Sequence, residues 1–173
     1  MRLSLLAQID WLGRVAVPGL MTMIFVLLGM VPLPLPFFHS LGPGLALAAV
    51  YHWSIHTPYL LRAPMAFAIG LLGDLLGAAP LGVGALVMLL AQVVVESQRR
   101  LLVGGSFLMV WWGYMVVAAT AGGVSWLLVS LTAGSLMDPT ATVFAYLWSL
   151  CVYPGIAALL GLAQRILPRE DEE

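Results

Sequence analysis

Residues 64–86 read PMAFAIGLLGDLLGAAPLGVGAL, an apolar stretch that carries an aspartate, Asp74, in its middle and glycines at 70, 73, 77, 82 and 84. At about 3.6 residues per turn, offsets of three and four place Ala66, Gly70, Gly73, Asp74 and Gly77 on one helical face. Leu71, Leu72, Leu75 and Leu76 cover the rest. One side is small and acidic, the other aliphatic. In lipid, small residues let neighbouring backbones approach closely. A carboxylate at membrane depth costs roughly 2.5–3.5 kcal/mol on insertion scales and therefore turns toward protein or a water-filled cavity. Pro80 breaks the run, and Gly82 opens the next apolar segment.

The remainder of the chain belongs to the same class. Apolar residues make up 62% of the 173 and charged residues 9%, whereas a soluble domain has about 25% charged residues. The spacing of apolar runs predicts an all-α polytopic membrane protein with six spans: 15–31, 42–56, 64–78, 82–95, 106–131, and a sixth that follows Asp138-Pro139-Thr140 and runs to about residue 166. Pro32, Pro34 and Pro36 end the first span in an extended loop. Glu96, Ser97, Gln98, Arg99 and Arg100 mark a return to water after the fourth. Asp138-Pro139-Thr140 reads as a helix start, and Pro154-Gly155 as a kink. Tyr51, Trp53 and Tyr59, and again Trp111, Trp112 and Tyr114, are expected at the membrane interfaces. The whole chain, 1–173, reads as one integral membrane domain. Residues 1–14 suit either an interfacial helix or a disordered tail, and residues 168–173 form a charged tail. No cleavable leader is expected, because Gln8, Asp10 and Arg14 precede the first apolar run.

The arginines orient this topology. With the N-terminal side called inside, Arg2, Arg14, Arg62, Arg99, Arg100, Arg165 and Arg169 all fall inside. The three opposite loops contain no arginine, as the positive-inside rule requires. Both termini are then cytoplasmic. The net charge of −1 and the absence of lysine give no basic field for nucleic acid.

Chemistry is sparse. Asp74 has no second carboxylate nearby in sequence, and the preceding residues do not complete the GxGD pattern of intramembrane aspartyl proteases. A structural role or a ligand or partner contact is expected of it, and no catalytic residue is predicted. His52 and His56 are four apart, yet no glutamate follows the first as a metalloprotease helix would need; they read as interfacial histidines. No metal and no cofactor is expected. Cys151 lies in an apolar run and reads as a buried thiol. Asp74, Gln92, Thr120 and Ser125 are the polar residues available to line a pocket within the spans.

The stretch from Tyr51 to Leu86 resembles the rod shape-determining MreD family of membrane proteins. Tyr51 and Trp53 close the second span and Pro58, Pro64 and Phe67 follow. Gly70-Leu71-Leu72-x-Asp74-Leu75-Leu76 and Pro80-Leu81-Gly82 with Ala85-Leu86 complete the pattern. The resemblance implies a non-enzymatic bacterial inner-membrane subunit of the cell-elongation machinery. Its implied partners are an MreC-like single-span scaffold and, through it, MreB-like filaments and peptidoglycan synthases. Gly70, Gly73, Asp74, Gly77, Pro80, Leu81 and Gly82 would serve structure or partner contact. The family is also similar in fold to the six-helix substrate-binding subunits of vitamin transporters, which supplies the alternative function.

Overall fold

The computed structural model describes residues 18–29, 42–58, 61, 63–77 and 80–166, with the side chains of 165 and 166 excepted. The expected interfacial segment 1–14, the proline loop, Tyr59, Arg62 and the charged tail lie outside the described residues. Every regular element within them is helical: α1 (Pro18–Leu28), α2 (Gly42–His56), α3 (Ala63–Leu76), α4 (Val83–Leu102), α5 (Phe107–Ala133) and α6 (Thr140–Ile166). The result is an all-α bundle of six helices.

Helix ends follow local chemistry. Asp138 accepts the N–H of Thr140 at 3.0 Å and is bonded to its hydroxyl, which starts α6 where the sequence indicates. Gly134, at φ 66°, closes α5 in the left-handed region that glycine enters without strain. The fourth helix runs past the expected end at residue 95 as far as Leu102. Leu102 is 6% exposed, so burying it draws the charged turn 96–100 into the helix rather than into a loop. Arg99 and Arg100 then fall in the last turn, where they complement the helix dipole.

α2 is the central element. Its residues Ala46 to Ile55 are all buried, against α4, α5 and α6. Tyr51 and Trp53, expected in an interfacial belt, are 1% and 0% exposed. His52, expected at the interface, is 4% exposed, while His56 is exposed. These residues lie near the end of a short helix, but neighbouring helices surround that end. Tyr114, expected to anchor the fifth span at an interface, is buried as well, and Tyr51, Tyr114 and Tyr153 form one aromatic cluster. The Tyr114 and Tyr153 rings stack at 4.1 Å, and Tyr51 meets both edge-on at 5.3 and 5.7 Å. Cys151, expected to be buried, is exposed on the outer side of α6.

The outer surface is strongly apolar. Leu108, Trp112, Val116 and Leu127 on α5, and Leu147, Trp148, Leu159 and Leu162 on α6, are each about half exposed. Among the described residues, Phe107–Ala133 and Thr140–Gln164 are long and apolar enough to cross a membrane. Pro18–Leu28 and Ala63–Leu76 are apolar but shorter. At 1.5 Å per residue, α3 extends about 21 Å, against about 30 Å of hydrocarbon. The six expected spans therefore correspond to six helices, of which two meet the length and hydropathy of a span among the described residues.

Candidate functional site

Asp74 occupies the last turn of α3 and is 5% exposed. It faces the start of α4, where the first N–H groups of a helix have no partner inside the helix. Oδ2 accepts the N–H of Gly82 at 2.8 Å and that of Ala85 at 3.3 Å. The N–H of Gly84 is shared between Oδ1 at 2.9 Å and Oδ2 at 3.0 Å. Gly82, the N-cap residue of α4, has no side chain to cap with, and its φ of 96° lets the chain turn under the carboxylate. Asp74 is thus a cap delivered from another helix, and its negative charge suits the positive end of the α4 dipole. Gly84 leaves room for it: a Cβ there would collide with Oδ1 and lie 3.0 Å from Cγ.

The other residues of the string divide by role. A Cβ on Gly70 would stand 2.6 Å from both Ala85 Cα and Gly84 O, so Gly70 is the point where the α3 and α4 backbones touch. Gly73 has open space on that side, and both Gly73 and Gly77 line a cavity. Pro80 accepts the N–H of Val83 at 3.3 Å, and Leu81 is 67% exposed.

That cavity has a volume of about 670 Å³, within the range of small-molecule pockets. It is enclosed by the end of α1, the start of α2, the end of α3, the start of α4, the later half of α5 and the start of α6. Ala118 to Ser125 of α5 and Ala141 to Ser149 of α6 contribute one side of it. Gly44, near the start of α2, packs on Ser149, more than two turns into α6. The turn joining α5 to α6 is held by Trp126 Nε1, which donates to Met137 O at 3.0 Å. Met137 N–H in turn donates to Ser130 Oγ at 3.3 Å.

Of the four residues expected to line a pocket, Asp74 and Ser125 do so. Gln92 does not. It is 2% exposed and lies a turn beyond Met88, past the cavity floor. Its Nε2 donates to Leu61 O at 2.7 Å and to Glu96 Oε1 at 3.0 Å. Thr120 faces away on the exposed side of α5, its hydroxyl donating to Val116 O at 3.0 Å and Val117 O at 2.9 Å. Sequence reasoning missed Thr142, Tyr146 and Ser149 as lining residues. Tyr146 donates to Met115 O at 3.4 Å and Ser149 to Tyr146 O at 2.8 Å. One signal was available: in an alternating topology, the glycines at 29, 42, 44, 70, 73, 77, 84 and 122 all fall toward the same end.

Elsewhere the geometry does not assemble reactive groups. The imidazoles of His52 and His56 stack at 4.3 Å with 25° between planes. Stacked rings direct their in-plane nitrogen lone pairs side by side rather than toward one ion. No cluster of three or more His, Cys, Asp or Glu occurs among the described residues. Glu96 lies over three turns along α4 from the end that Asp74 caps.

No protein-family model, no curated protein and no solved structure matches this chain.

Proposed function

We propose that this chain is a non-enzymatic, multi-pass subunit of the bacterial inner membrane that joins the cell-elongation complex by binding an MreC-like single-span scaffold. The carrying observation is the inverted distribution of side chains. Leu108, Trp112, Trp148 and Leu159 face outward while Asp74, Gln92 and Ser54 are buried. A soluble monomer rarely exposes apolar patches beyond a few hundred Å², whereas lipid or a partner's membrane helix covers such a surface at no cost. In this reading all six helices cross, the bilayer thins around α3, and both termini are cytoplasmic. The resemblance to the MreD family supplies the complex. The residues that carry it form a cap and a close helix contact, which fits a scaffolding part better than a catalytic one. Through the scaffold the subunit would help organise MreB-like filaments and peptidoglycan synthesis, and so rod shape.

Depletion in a rod-shaped host, with a tagged copy used for co-purification, tests this. Rounded cells and recovery of a single-span scaffold are the expected results; unchanged shape with no scaffold recovered rejects the proposal. Topology has its own test in a Cys151→Ser background. Ser97→Cys should react with an impermeant thiol reagent from the cytoplasmic side, and Ser135→Cys from the opposite side.

The cavity favours a second reading, a substrate-binding membrane subunit of a vitamin-type transporter. Retention of a vitamin-sized solute by the purified protein, together with normal cell shape on depletion, would select it.

A further inference from the structure

Asp74 is the one charged side chain lining the cavity among the described residues, and both of its oxygens are taken by the N–H groups of Gly82, Gly84 and Ala85. An anionic guest would find no counter-ion there, and the Asp74 carboxylate is already engaged by the start of α4. A guest rich in donors and acceptors would fare little better, since Tyr146 and Ser149 donate to main-chain carbonyls and the remaining hydroxyls are those of Ser125 and Thr142. Polar groups buried without partners are unfavourable. The rest of the wall is glycine, alanine and aliphatic side chain. The rim has the same character. Among the described residues, those that both line the cavity and are exposed are Pro43, Leu76, Gly77 and Ala141, none of which carries a polar side chain. Leu75, beside this rim, is 59% exposed.

We infer that the cavity holds an acyl chain of a membrane lipid, entering past Leu76 and Gly77 at the end of α3. The inference rests on the membrane reading above, and it names a ligand that reading does not require. Glycine and alanine walls provide a smooth slot for a flexible chain, and the lipid headgroup stays outside the cavity in the polar layer of the membrane.

The test uses the full chain in phosphatidylcholine nanodiscs doped with phosphatidylcholine that carries a diazirine on one acyl chain. After illumination, adducts are mapped residue by residue. Expected are adducts at Gly122 or Ala145 inside the cavity and at Leu108 or Trp112 on the outer face. Ala145→Phe should lower the cavity adducts about tenfold, the scale on which overpacking a filled site acts, and leave the outer-face adducts unchanged. Ala141→Leu, at an exposed rim position, serves the same purpose if Ala145→Phe does not fold. Outer-face labelling with no cavity labelling, or cavity labelling that neither variant reduces, overturns the inference and leaves the membrane reading intact. A water-soluble solute retained by the wild type and lost from Ala145→Phe overturns it in favour of solute binding. Absence of label on the outer face as well removes the membrane reading and this inference with it.

Discussion

Arg99 donates from Nε to the main-chain carbonyl of Ile55 at 2.9 Å, so a side chain near the end of α4 satisfies the last turn of α2. At the opposite end of α4, the carboxylate of Asp74 satisfies the first turn of α4 itself. A cation sits at a helix C-terminus and an anion at a helix N-terminus, each matched in sign to the dipole it meets. The two sites are about 25 Å apart along α4. Destabilisation by Arg99→Met and Asp74→Ala should therefore add to within about 0.5 kcal/mol in thermal unfolding of the micelle-bound protein. Strong non-additivity would mean that α4 shifts as a body when either end is released.

Asp74→Ala alone should lower stability by about 2 kcal/mol, the upper range for losing a helix cap, because three N–H groups lose their acceptor. Asp74→Asn should recover little of this. Its amide nitrogen would face donors that the second carboxylate oxygen now accepts from. Unfolding of both variants in one detergent checks the order, and an Asn variant as stable as wild type would contradict it.

Gly70 and Gly73 should respond oppositely to alanine. At Gly70 the new methyl would meet Ala85 Cα and Gly84 O at 2.6 Å, and both are main-chain atoms that cannot turn aside. Gly70→Ala should cost about 1–3 kcal/mol as the helices separate. Gly73→Ala meets nothing within 4 Å and should be neutral or gain up to about 1 kcal/mol from helix propensity. Parallel melts of the two variants decide the matter.

Tyr51 and Gly113 should be energetically coupled. Tyr51 OH donates to Val110 O at 2.8 Å, and a Cβ on Gly113 would lie 2.5 Å from that hydroxyl oxygen and 2.8 Å from Leu102 Cδ2. Tyr51→Phe should cost about 1 kcal/mol for the lost hydrogen bond. Gly113→Ala should cost more on its own and less in the Tyr51→Phe background. A double-mutant cycle measures the difference.

Asp138 carries the expected pH effect at the tip of the α5–α6 hairpin. The hydroxyl and N–H of Thr140 hold its carboxyl below the usual value of 3.8. A depressed folded-state pKa contributes stability above the unfolded value, and that contribution is lost as pH falls through the folded one. An NMR titration of the Asp138 carboxyl should therefore show a midpoint below 3.8, and Thr140→Ala should move it upward. A midpoint unchanged by Thr140→Ala would show that the hydroxyl is not the cause.

The helical class, the bounds of α2, the helix start at Asp138 and the burial of Asp74 among glycines are all legible in the order of the residues. Those features depend on local rules: apolar run length, proline and glycine punctuation, and the cost of placing a carboxylate in an apolar stretch. That order did not reveal that Tyr51, Trp53 and Tyr114 lie in the core, that Cys151 is exposed, or that Gln92 and Thr120 miss the cavity. Each of those depends on which helix stands beside which, and a helix as apolar as α2 has no polar face from which to read its neighbours. Tertiary structure alone decided the cap, because the Asp74 carboxylate and the N–H groups it accepts from come from two helices that meet only when Gly70 lets their backbones touch.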